Sequence, residues 1–176
     1  MLYHGSVEEN IQAVWARSKS HTSSRSVAYF TSDRVYALVC CRKRTENFVT
    51  MGPDRKGIQH YFERFPRQLQ TLYEGREGYL YTPLLEKGLS CTRGHTWESS
   101  VDVPVRLHEH VLDLYREIIQ EERAGNVVVH RYHEIDLKEQ KEHALYIRDH
   151  LEDEGPDMRA FYIKHFNSLW RQFNLK

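Results

Sequence analysis

The strongest constraint on this chain lies in its first six residues. Leu2-Tyr3-His4-Gly5-Ser6 is a short apolar and aromatic run that passes directly into an imidazole, a glycine and a hydroxyl. A strand ending this way presents His4 at its tip, Gly5 allows close approach to the backbone, and Ser6 adds a hydroxyl and a peptide N–H. Such groups can grip a ribose. A second run, Val27-Ala28-Tyr29-Phe30-Thr31, has the β-branched and aromatic content of a strand. Ser32 then stands where a helix N-cap would, ahead of Val35, Tyr36, Leu38 and Val39 at helical spacing. The plainer alternative is an ordinary first strand with His4 satisfied by a neighbouring backbone and Tyr29 packed in the core.

With 176 residues the chain can bury a sizeable core, and its length favours one domain over two. The 25 basic side chains equal the 25 acidic ones, which argues against a general nucleic-acid binder. The cluster Arg42-Lys43-Arg44 reads as a solvated helix end. Cys40, Cys41 and Cys91 are odd in number and two are adjacent, so no disulfide framework suggests itself and a reducing, cytoplasmic setting fits. Cys91 and His95 supply two potential metal ligands where a structural zinc needs four, so no metal is expected. No apolar stretch approaches the length of a membrane span.

Along the chain, residues 7–17 read as a short helix or turn and 18–26 as a loop. Residues 48–51 and 58–63 read as a hairpin, and 69–73 and 78–81 as two short strands. Residues 86–96 look irregular and 97–105 strand-like. From 107 a helical pattern runs to Gly125, residues 127–132 form a lone strand, and two helices follow over 137–152 and 156–173. The stripe Phe161, Tyr162, Phe166, Leu169, Trp170 and Phe173 reads as core packing. The expected class is α+β, with a β-rich half over 1–105 and a mainly helical region over 106–176 packed on it.

Three segments, Leu2 to Ser6, Ala28 to Ser32 and Glu74-Gly75-Arg76-Glu77-Gly78-Tyr79-Leu80-Tyr81, together resemble the ADP-ribosyltransferase fold. The likeness is nearest to the small rifampin ADP-ribosyltransferases, and the pattern is also similar to small bacterial proteins of unknown role. It covers roughly the first half of the chain. What the resemblance implies is a site for NAD as substrate, with an unidentified acceptor. His4 would bond the ribose hydroxyls, Gly5 and Ser6 would offer backbone groups to the nicotinamide amide, and Tyr29 would stack on the nicotinamide ring. His4 and Tyr29 would face one pocket. The phosphates would fall to scattered groups such as Arg25, Arg34 or Ser32, since no P-loop or GxGxxG motif is present.

Breaking the nicotinamide–ribose bond develops positive charge at the anomeric carbon, so transfer requires a carboxylate beside it. Two candidates stand out. Glu86 follows the 78–81 strand much as the acid does in the rifampin-modifying enzymes, and Glu98 opens a later strand as in many other members of the family. If neither reaches the cleft, the chain is a non-catalytic nucleotide-binding or interaction module, its aromatic tail docking a partner or a second copy of itself. The motif His108-Glu109-His110 lacks the four-residue spacing of a zincin helix and reads as solvated.

Overall fold

The computed structural model of the protein describes residues 1–20, 25–43 and 49–175; Arg44 and Phe48, drawn into the basic cluster and the first hairpin strand, lie outside them. In chain order the first elements are β1 (His4–Ser6), β2 (Ala13–Val14), β3 (Ser18–Lys19), β4 (Ser26–Thr31), α1 (Arg34–Cys40), β5 (Thr50–Pro53), β6 (Gln59–Phe62) and α2 (Gln68–Tyr73). Then come β7 (Gly78–Pro83), β8 (Ser90–Arg93), β9 (Thr96–Ser99), β10 (Val103–Val111), α3 (Leu114–Arg123), β11 (Val127–His130), α4 (Leu137–Asp149) and α5 (Pro156–Gln172). The class is α+β, as the sequence implies. The elements gather into two units that interleave along the chain, 1–42 with 75–121 and 43–74 with 122–176. The expected boundary after residue 105 falls inside β10.

The first unit holds two four-stranded antiparallel sheets, ordered β1-β7-β10-β2 and β3-β4-β9-β8. Leu2, Val14, Ala28, Phe30, Tyr79, Tyr81, Val103 and Val105 form one buried cluster, so alternate residues of β4 and β7 supply its core. Helix α1 buries Val35, Ala37, Leu38 and Val39. Its N-cap is Asp33, whose carboxylate accepts the Tyr36 N–H at 2.9 Å; the expected cap, Ser32, instead donates its N–H to the His95 carbonyl. Residues 7–17 do not form a helix: Asn10 sits at φ 62° and the stretch contains the two-residue β2. Residues 107–111 extend β10 along β7, with a register shift between Leu107 and Glu109, and so postpone α3 to Leu114.

In the second unit β5 and β6 make the expected antiparallel hairpin, while β11 is not alone: it pairs with β6 in parallel. Residues 69–73 belong to helix α2 and not to a strand. The buried Glu63 carboxylate decides this locally, since Oε1 accepts the Leu69 N–H and Oε2 the Tyr132 N–H, both at 3.0 Å. Helices α4 and α5 carry the core of the unit, with Ala144, Ile147, Tyr162, Phe166 and Leu169 buried around Phe65 and Tyr132. The aromatic stripe of α5 is therefore core, as its spacing implies. No helix among the described residues is long and apolar enough to cross a membrane.

Candidate functional site

Tyr3, just before β1, and Thr31 of β4 form an isolated bridge. The Tyr3 N–H donates to the Thr31 carbonyl at 2.7 Å and the Thr31 N–H to the Tyr3 carbonyl at 2.8 Å. The same antiparallel register would next pair Gly5 with Tyr29. That pairing is not made among the described residues; His4 Nδ1 takes the Tyr29 carbonyl instead, at 2.9 Å. A carbonyl only accepts, so this contact puts the proton on Nδ1. Burial holds the His4 pKa below the usual histidine value, with the Tyr29 carbonyl and Glu8 pulling the other way.

The register also decides which way the side chains leave. Extended from the bridge, it sets His4 opposite Phe30, and their rings lie 5.8 Å apart on the face that carries Leu2 and the core. Tyr29 departs from the other face of β4. The expectation that His4 and Tyr29 look into one pocket is therefore corrected: they meet through the Tyr29 carbonyl, while their side chains point apart.

Glu98 is the residue that shares the Tyr29 face. It lies directly across from Tyr29 in the β4–β9 ladder. The Tyr29 hydroxyl donates to the Lys19 carbonyl at 2.8 Å, and the Ser20 hydroxyl donates to Glu98 Oε2, also at 2.8 Å. Glu98 is only 6% exposed, and its Oε1 has no hydrogen-bond partner among the described residues. A buried carboxylate oxygen left unpaired is costly in a purely structural role.

The other expected residues fall elsewhere. Gly5 is needed because a Cβ there would stand 1.9 Å from the Ala37 carbonyl oxygen. The face that its missing side chain opens is filled by α1 and not left for a ligand; its peptide N–H and C=O lie in the plane of the sheet, on the side of β4. The Ser6 hydroxyl accepts the Glu8 N–H at 2.9 Å. Glu86 is exposed in the turn before β8, where its carbonyl accepts the Leu89 N–H. Arg34 is removed as a phosphate group: its guanidinium is held by Glu109, Glu117 and Glu121, and Glu109, then Glu117, push its pKa up against the effect of burial. Glu109 is thereby engaged, as is His110, which bonds Glu77 at 2.7 Å, so the 108–110 motif is not simply solvated. Arg25 is exposed, and its carbonyl accepts the Ser20 N–H.

Residue-by-residue reading of the sequence misses Ser20, Tyr36, Cys40 and Arg42. Tyr36 and Cys40 are four apart on α1 and so share a helix face. Burial pushes the Tyr36 hydroxyl up, with Cys40 and Tyr29 adding to the shift and Arg42 opposing it. Burial likewise raises the Cys40 thiol against the pull of Arg42. Cys40, Arg42 and Tyr29 are thus each within electrostatic reach of Tyr36. The i, i+4 spacing was a usable signal for the Tyr36–Cys40 pair; nothing local points to Ser20. A shallow cavity of about 390 Å³ in the second unit, lined by Glu154, Pro156, Arg159, Ala160 and Ile163, contains none of these groups.

No protein-family model, no curated protein and no solved structure matches this chain.

Proposed function

We propose that the first unit binds NAD and transfers its ADP-ribose to an acceptor, with Glu98 as the catalytic carboxylate. The observation that carries this reading is Glu98 itself, buried opposite Tyr29 with Oε1 unpaired. A carboxylate so held, aimed at an anomeric carbon, stabilises the oxocarbenium-like charge that forms as nicotinamide leaves. Tyr29 offers an aromatic surface to the nicotinamide ring, with Tyr36 within electrostatic reach of it, and Arg42, whose charge acts on Tyr36, is a cation for a phosphate. The peptide groups of Gly5, where the β1–β4 ladder stops, are suited to the nicotinamide amide. His4 acts on the site indirectly, by occupying the Tyr29 carbonyl.

A second reading, binding without transfer, is favoured by one feature: the His4 ring lies against Phe30 on the core face and does not stand beside Glu98. Both readings are tested by adding NAD to the protein and to Glu98→Gln. Transfer predicts nicotinamide release that slows roughly a hundredfold in Glu98→Gln while the NAD-induced rise in Tm persists. A Tm rise of about 2.7 kcal/mol equivalent at a hundredfold ligand excess, with no release from either protein, supports binding alone. No Tm rise and no release overturn both.

A further inference from the structure

We infer that Ser20 is a positioning residue for Glu98, fixing one carboxylate oxygen so that the other is presented to the ribose. The inference rests on the transfer reading above and adds a residue from a different part of the chain. A glutamate carboxylate rotates in a broad torsional well, so burial alone does not fix which oxygen faces a substrate. The Ser20 hydroxyl removes that freedom by donating to Oε2 at 2.8 Å, which leaves Oε1 as the unpaired oxygen.

Ser20 is itself held. Its N–H donates to the Arg25 carbonyl at 2.9 Å, and the preceding strand is registered on β4 by the pairs Ser18 with Val27 and Lys19 with Ser26. The neighbouring Lys19 carbonyl receives the Tyr29 hydroxyl at 2.8 Å. One two-residue segment, Lys19-Ser20, therefore fixes both side chains of the cross-strand Tyr29–Glu98 pair. A carboxylate located this way acts on the transition state, and its misplacement by a fraction of an ångström slows chemistry more than it weakens binding.

The test compares Ser20→Ala and Ser20→Thr with the unsubstituted protein, following nicotinamide release against NAD concentration. Ser20→Ala is expected to lower kcat about ten- to a hundredfold while KM for NAD stays within about twofold. Ser20→Thr, which keeps the hydroxyl, restores most of the rate. A Ser20→Ala protein with unchanged kcat, or a Ser20→Thr protein as slow as Ser20→Ala, overturns the positioning role while leaving Glu98 as the acid. Absence of release from the unsubstituted protein overturns the transfer reading and the positioning role with it. A double-mutant cycle on Tm with Ser20→Ala and Glu98→Ala checks the contact without NAD: non-additive losses support it, and additive losses overturn it.

Discussion

Gly5 and Ala37 are in backbone contact across β1 and α1, close enough that a Cβ on residue 5 would lie 1.9 Å from the Ala37 carbonyl oxygen and 3.0 Å from the Cys41 sulfur. Neither backbone can yield without moving the helix or the strand. Gly5→Ala is expected to destabilise the protein by about 3 kcal/mol or more, the upper end for overpacking, because the clash is with backbone. Gly52, on β5, has nothing within 4 Å of the same position, so Gly52→Ala serves as the control. Equal urea midpoints for the two variants would show that α1 does not rest on β1 in this way.

In the second unit, Glu63 joins two segments through backbone donors. It is 4% exposed and accepts the N–H groups of Leu69 and Tyr132, each at 3.0 Å. Glu63→Ala leaves two buried donors unpaired and is expected to cost about 3 kcal/mol in chemical denaturation. Glu63→Gln, which keeps one acceptor, falls between. A loss below about 0.5 kcal/mol for Glu63→Ala, the size expected of a surface change, would refute the role.

Acid destabilisation should follow from histidines held neutral. Arg64 Nη1 approaches both ring nitrogens of His143, at 2.6 Å from Nδ1 and 2.5 Å from Nε2, and a guanidinium only donates, so the ring meets it neutral, with one nitrogen free to accept. Burial and then Arg64 push the His143 pKa down, against Glu139 and Glu142; burial also lowers His4 and His95. An unfolded histidine titrates near about 6.5, so below that pH the unfolded chain takes up protons that the folded chain refuses. Stability is full above about pH 6.5 and falls until the lower folded values are passed. Tm should drop between pH 7.5 and pH 5, and drop less in His143→Gln. A Tm that rises over that interval is the opposite of what these contacts require.

The three thiols should react in an order set by burial. Cys91 is exposed, Cys40 half-buried and raised by burial, and Cys41 fully buried with its thiol pushed up to about 12. Since the thiolate is the nucleophile, iodoacetamide at pH 7.5 should label Cys91 in the native protein and Cys41 only after unfolding. Mass spectrometry of time points gives the order directly, and early labelling of Cys41 would contradict its packing against Ala37 and Tyr79.

What residues declare locally, this chain declares well. The stripe of Tyr162, Phe166 and Leu169 recurs at helical spacing and forms the buried side of α5. The content of residues 27–31 gives β4, the turn around Gly57 gives the β5–β6 hairpin, and Gly125 at φ 81° closes α3. Pairing is another matter, because strand partners are chosen by chain segments far apart. Residues 107–111 look helical alone and become strand by lying along β7. Residues 69–73 hold too few apolar positions to separate a strand from a helix, and Glu63 with its two backbone donors resolves them as α2.

The candidate site divides in the same way. His4, Tyr29 and Glu98 can be picked out by residue type, yet which of them share a face depends on a register set by one bridge, Tyr3 with Thr31, and by the β4–β9 ladder. Side chains alternate along a strand with a period of two, so a single step in register would exchange the faces. Tertiary structure thus sends His4 to the core side, brings Glu98 across from Tyr29, and adds Ser20, 78 residues away from Glu98 in the chain, to the pair.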